Sequence, residues 1–125
     1  MAGQADIVFH PDSAGLDHLK VIRERMVSGY GVERFMAHLK ACITRPDSRE
    51  LLSTSSMPVL VVAGEDDIVI PAKLQQAMAE NIPDCTYRTI EATGHMMPLE
   101  KAGQFAQLVV DWIDARAIHV QGEVS

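Results

Sequence analysis

PVLVVAGEDDIVIP, residues 58–71, is the stretch on which the reading of this chain turns. Val59 to Ala63 form an uninterrupted apolar run rich in β-branched residues, as expected of a strand covered on both faces in a parallel sheet. Gly64 permits a tight exit from that strand, and Asp66 and Asp67 follow it directly. Pro71 then suits the first turn of a helix. A second stretch, ATGHMMPLE at residues 92–100, follows a weaker strand expected over Thr86–Glu91 and presents a histidine, His95, where the first presents its acids. In open parallel sheets, functional groups sit in loops beyond the carboxyl ends of the strands. Neighbouring strands lie about 4.8 Å apart, so these two loops are expected to bring an aspartate against His95. A carboxylate on one imidazole nitrogen fixes the tautomer and stabilises the imidazolium when the other nitrogen takes a proton.

The flanks complete an α/β order. Leu19, Ile22 and Met26 make one helical stripe, and Ser28 to Gly31 break it. Val32, Phe35, Met36, Leu39 and Ile43 make a second, which Arg45-Pro46 ends because the residue before proline leaves the α region. Asp47 to Glu50 resemble a capping box with Asp47 as the cap of a short helix through Leu52. Leu74, Ala77 and Met78 define a helix after Pro71; Pro98 opens the last helix, striped by Phe105, Leu108, Val109, Trp112 and Ile113. The organisation expected is an irregular segment over residues 1–15, a helical segment over 16–56, a parallel strand–helix–strand–helix unit over 57–117, and a tail over 118–125. His10 to Gly15 read as turn or loop within the first of these. So apolar a strand as Val59–Ala63 wants neighbours on both edges. The chain offers Thr86–Glu91 and, at most, the triplet at Ile7, so an exposed edge is expected.

Composition bounds the function. The chain has 125 residues, one domain's worth, with 47% apolar and 22% charged residues and a net charge of −6. No basic run is present to neutralise phosphates, which excludes a nucleic-acid surface. No segment reaches the roughly 18 apolar residues of a membrane span. The first residues lack the features of a signal peptide, and Cys42 and Cys85 lack metal or redox spacing. A cytoplasmic location with reduced thiols is therefore expected.

Here the chain resembles the α/β-hydrolase superfamily, over roughly Arg25 to Ala117. The family's acid motif places an aspartate three residues after a glycine and four before a proline. Gly64, Asp67 and Pro71 match it, which selects Asp67 over Asp66. Its histidine motif, Gly-His followed by a short apolar stretch and Pro-Leu-Glu, matches Gly94, His95, Pro98, Leu99 and Glu100. The resemblance implies a partial α/β-hydrolase fold, cap helices followed by the parallel unit, with catalytic roles for Asp67 and His95. It implies a small ester, lactone or related acyl substrate and no cofactor or metal.

The family's nucleophile serine sits upstream in a Gly-x-Ser-x-Gly turn. No such pentapeptide occurs among the 125 residues, and Ser13, Ser28, Ser48, Ser53, Ser55, Ser56 and Ser125 all fall in turns, caps, linkers or the tail. The expectation is thus the C-terminal half of such an enzyme, truncated or split, with little activity until an N-terminal half supplies the serine. The alternative is a non-catalytic remnant that forms homo-oligomers, or binds a partner, through its open strand edge. A metal site on Asp67 and His95 has too few ligands. His10, His18, His38 and His119 read as surface or helix residues. Trp112 reads as core, Met96-Met97 as pocket lining or core filler, and neither cysteine has an activating neighbour.

Overall fold

The computed structural model describes residues 7–122. Its elements are α1 (Pro11–Ala14), α2 (Asp17–Tyr30), α3 (Val32–Thr44), α4 (Arg49–Ser53), β1 (Val59–Gly64), α5 (Ala72–Ala79), β2 (Cys85–Ile90), α6 (Met97–Glu100) and α7 (Ala102–Gly122). β1 and β2 are parallel, in register from Val59 opposite Cys85 to Gly64 opposite Ile90. The apolar run at Val59 thus forms the expected strand, and the weaker strand sits one residue earlier than its composition indicates.

The helical half departs from expectation in detail. His10 to Gly15 are not all loop: Pro11 opens α1 in its first turn, and His10 Nδ1 accepts the Asp12 N–H as the cap. The break between the two apolar stripes is one residue wide. Gly29 stays helical, and Gly31 alone takes φ +71°, a left-handed value that favours glycine. α4 is capped differently from a capping box. Ser48 holds the N-cap position, while Asp47 accepts the Arg49 N–H at 3.0 Å and pairs with the Arg49 guanidinium, leaving Glu50 with no reciprocal role. The last helix begins at Ala102, after Lys101 leaves the helical region at φ −133° and separates α6 from α7. The segment read as a tail from residue 118 is helical through Gly122. Residues 1–6 and 123–125, which complete the expected N-terminal segment and tail, lie outside the described residues.

The core is small. Phe9, Leu19, Val61, Ala63, Ala79, Ile82, Ile90 and Met97 are its buried apolar residues. Val61 and Ala63 share one face of β1, and alternation turns Leu60 and Val62 to the other. That second face meets α7 incompletely: a groove of about 350 Å³ is lined by Leu60, Val62, His95, Met97, Phe105 and Val109. Further along, Trp112 is only half-buried, with Arg116 stacked 4.8 Å from its ring, and its indole N–H is buried without a partner. Arg116 also donates to both carboxylate oxygens of Asp84 at 2.7 and 2.9 Å, which ties α7 to the turn entering β2.

α3 carries the apolar row that its spacing predicts, yet no residue of it is buried; Val32 and Ile43 are 77% and 82% exposed. Periodicity names the face a helix wants to cover, and cover requires a second surface. β1 is in the same position, because among the described residues β2 is its one hydrogen-bonded neighbour. The triplet at Ile7 forms a turn rather than a third strand. Among the described residues no helix is long and apolar enough to cross a membrane.

Candidate active site

The two loops expected to meet do so at the ends of β1 and β2. The Glu65 N–H donates to the Ile90 carbonyl, and the next residue, Asp66, donates its N–H to the Thr93 carbonyl at 3.0 Å. The acid loop thus leaves the sheet still bonded to the histidine loop. The approach is so close that a side chain on Gly64 would place its Cβ 2.2 Å from the Gly94 carbonyl oxygen and 2.5 Å from that of Thr93.

Asp67 turns inward and is 4% exposed. Its Oδ1 accepts the N–H groups of Val69 and Ile70, both at 2.9 Å, in a local turn of the loop's own backbone. Its Oδ2 accepts Gln75 Nε2 at 3.2 Å and His95 Nδ1 at 2.9 Å. Two oxygens therefore hold four donors, which is the condition for burying a carboxylate without an unmet charge. Because an ionised carboxylate only accepts, Nδ1 of His95 carries the proton. Its Nε2 keeps a lone pair, and the ring lies at the head of the 350 Å³ groove. Asp66, in contrast, is half exposed, with its carboxylate 3.4 Å from His10 Nε2.

Burial pushes the Asp67 pKa up, but the His95 hydrogen bond and the Ile70 and Val69 N–H groups outweigh it and hold the carboxyl below its ordinary 3.8. A group whose folded pKa lies below its unfolded value adds stability that is present above the unfolded value and lost as pH falls through the folded one. Urea titrations should therefore show a stability loss below about pH 4. Asp67→Asn should flatten part of that slope; an unchanged slope would show that Asp67 is not the group that titrates.

Three contributors escaped the sequence reading. Gln75 lies on α5, eight residues after the acid it touches; nothing in its spacing marks it, since the contact depends on how α5 folds back. His10 is not a surface residue: its side chain is 16% exposed and lies against Asp66. Its position just before Pro11 was the available sign of a cap. Glu100 accepts the N–H of Gly94 at 3.1 Å and of His10 at 2.8 Å, and it stands within the Pro-Leu-Glu that accompanies the histidine. Of the Met96-Met97 pair, Met97 is buried and lines the groove.

The remaining candidates stay apart from this chemistry. Cys42 and Cys85 are free thiols. Burial and the charge of Asp84 raise the Cys85 pKa, the wrong direction for a nucleophile. Among the described residues no three His, Cys, Asp or Glu side chains converge as a metal site.

No family model matches the sequence. A 2-hydroxy-6-oxononadienedioate/2-hydroxy-6-oxononatrienedioate hydrolase from a Pseudomonas species is 33% identical over 79 residues, which cover 63% of this chain and 28% of that protein. A thermophilic esterase from Thermogutta terrifontis is similar in structure, with a TM-score of 0.56 and 35% identity over 58% of this chain and 26% of the esterase. A bromoperoxidase from Bacillus anthracis shares the fold over 88% of this chain and 41% of its own, with a TM-score of 0.72 at 14% identity. The chain thus spans less than half the length of each of these three proteins. It is similar to α/β-hydrolases over part of their length, and its helices and parallel strand pair carry part of that fold.

Proposed function

We propose that this chain supplies the acid and the general base of a serine-type acyl hydrolase acting on a small ester, lactone or related compound. The observation that carries the proposal is the 2.9 Å bond from His95 Nδ1 to a buried Asp67 carboxylate, which leaves Nε2 as the basic nitrogen beside a groove. His95 Nε2 takes the proton of an attacking hydroxyl and later gives it to the leaving group, while Asp67 stabilises the imidazolium between those steps. The hydroxyl and the donors for the oxyanion come from residues outside these 125, because no Gly-x-Ser-x-Gly occurs among them. Residues 16–56 then serve as a cap-like segment and 57–117 as the unit that presents the pair. The esterase likeness supports the substrate class.

The test is hydrolysis of an activated short-chain aryl ester by the purified chain and by His95→Ala. Nucleophile and base act as a unit, so both should show only background. Efficient turnover that disappears in the variant would overturn the placement of the nucleophile elsewhere. Turnover that survives in the variant would overturn the role of His95.

A second reading, a non-catalytic protein that pairs with copies of itself, is favoured by β1 having one bonded edge and α3 an uncovered apolar row. Sedimentation at several concentrations separates the readings: a monomer throughout removes the second.

A further inference from the structure

The loop that presents His95 is not self-supporting. Ala92, near its start, has φ +48°, a left-handed backbone that a non-glycine residue rarely adopts. The loop also leans on a segment some 90 residues distant. The Met96 N–H donates to the Val8 carbonyl at 3.0 Å, which fixes the backbone on one side of His95. On the other side, Gly94 lies so close to the same turn that a Cβ there would stand 2.6 Å from the His10 nitrogen and 2.8 Å from the Phe9 carbonyl carbon. That approach brings two N–H groups, of Gly94 and His10, to one place, and one carboxylate serves both. Glu100 Oε1 accepts Gly94 at 3.1 Å, and Oε2 accepts His10 at 2.8 Å and Gly94 at 3.3 Å. The turn reaches the acid loop as well. His10 Nδ1 accepts the Asp12 N–H, so in the neutral ring the proton is on Nε2, which faces Asp66.

From this convergence we propose that Glu100 is a positioning residue: its carboxylate clamps the His95 loop to the Ile7–His10 turn and so sets the orientation in which His95 meets Asp67. The proposal rests on the reading of Asp67 and His95 as an acid–base pair. Both bonds act on backbone: one within a residue of the histidine, the other on the turn behind it. A carboxylate suits the role because it offers two acceptors and no donor. An amide would hold His10 with its oxygen and turn its NH₂ toward the Gly94 N–H.

The test is NMR of the 15N-labelled 125-residue chain, following the low-field Nδ1 proton of His95 and amide exchange at Gly94 and His10. In Glu100→Ala both amides should exchange at least about tenfold faster and the His95 proton should vanish, while the Val59 amide, bonded to Asp84, keeps its protection. In Glu100→Gln, His10 should stay protected, Gly94 should exchange faster, and the His95 signal should be intermediate. Retention of the wild-type His95 signal and Gly94 exchange in either variant overturns the proposal. If Glu100→Ala fails to fold, the glutamine variant decides alone. A wild-type spectrum without the low-field proton would instead sink the Asp67–His95 pairing, and amide exchange would still judge the clamp.

Discussion

Asp67→Ala is expected to cost the chain about 3 kcal/mol or more, a loss that a domain with so small a core is expected to show as unfolding near room temperature. The magnitude follows from what remains. The N–H groups of Val69 and Ile70 and His95 Nδ1 lose their acceptor at a position 4% exposed, and the Gln75 amide keeps only the Ile70 carbonyl. Each donor left unmet in a buried site costs about 1–3 kcal/mol unless water reaches it. Asp67→Asn separates structure from chemistry. Its oxygen still accepts the Val69 and Ile70 N–H groups, so the loop should keep most of its stability. Its NH₂ then faces His95 and drives the ring to the other tautomer, with the proton on Nε2. Urea denaturation measures the first effect and imidazole 15N shifts the second. With a nucleophile supplied, the tautomer change should lower turnover by about four orders of magnitude. An alanine variant within 1 kcal/mol of wild type would refute the account of Asp67 as the organiser of its loop.

Gly64→Ala is expected to be comparably damaging for a different reason. The added methyl would stand 2.2 and 2.5 Å from two carbonyl oxygens of the histidine loop. Those atoms belong to backbone, so no side-chain rotation relieves the overlap and the loops must separate. Overpacking of this kind costs about 3 kcal/mol at the upper end of its usual range. Separation also breaks the Asp66 N–H bond to Thr93 and lengthens the Asp67–His95 contact. Gly103→Ala makes the control. Nothing lies within 4 Å of its Cβ position, it sits in α7, and alanine there should stabilise by roughly 0.5 kcal/mol. Paired thermal melts decide: similar shifts in the two variants would contradict the interlocked loops.

Much of this was legible because the decisive residues are local. An unbroken apolar run ending in Gly64, an acid three residues on, and a Gly94-His95 after the second strand need no knowledge of distant contacts. The meeting of Asp67 and His95 then follows from two parallel strands of the right length. What escaped is what depends on distance in sequence. Gln75, His10 and Glu100 act through partners that periodicity does not reveal, and the triplet at Ile7 reads at most as a strand until the packing of Phe9 and His10 against Gly94 is known. α3 failed in the opposite sense: its stripe is plain in the sequence, and its exposure reflects the lack of a surface to lie on among the described residues.

The bond from the His10 N–H to Glu100 closes a span of 90 residues, against 28 for the Asp67–His95 bond. Closure entropy grows with the logarithm of span, so the longer closure costs about 1 kcal/mol more. The two loops are thus expected to meet first during folding and the N-terminal turn to dock afterwards. The reverse holds on opening: the turn leaves before the strand pair melts, at a fraction of the global free energy. His95 would then pass through a state in which the two loops have met but its bond to Asp67 is not yet fixed. Final placement of His95 comes as a late folding event, governed by a turn some 90 residues away in sequence.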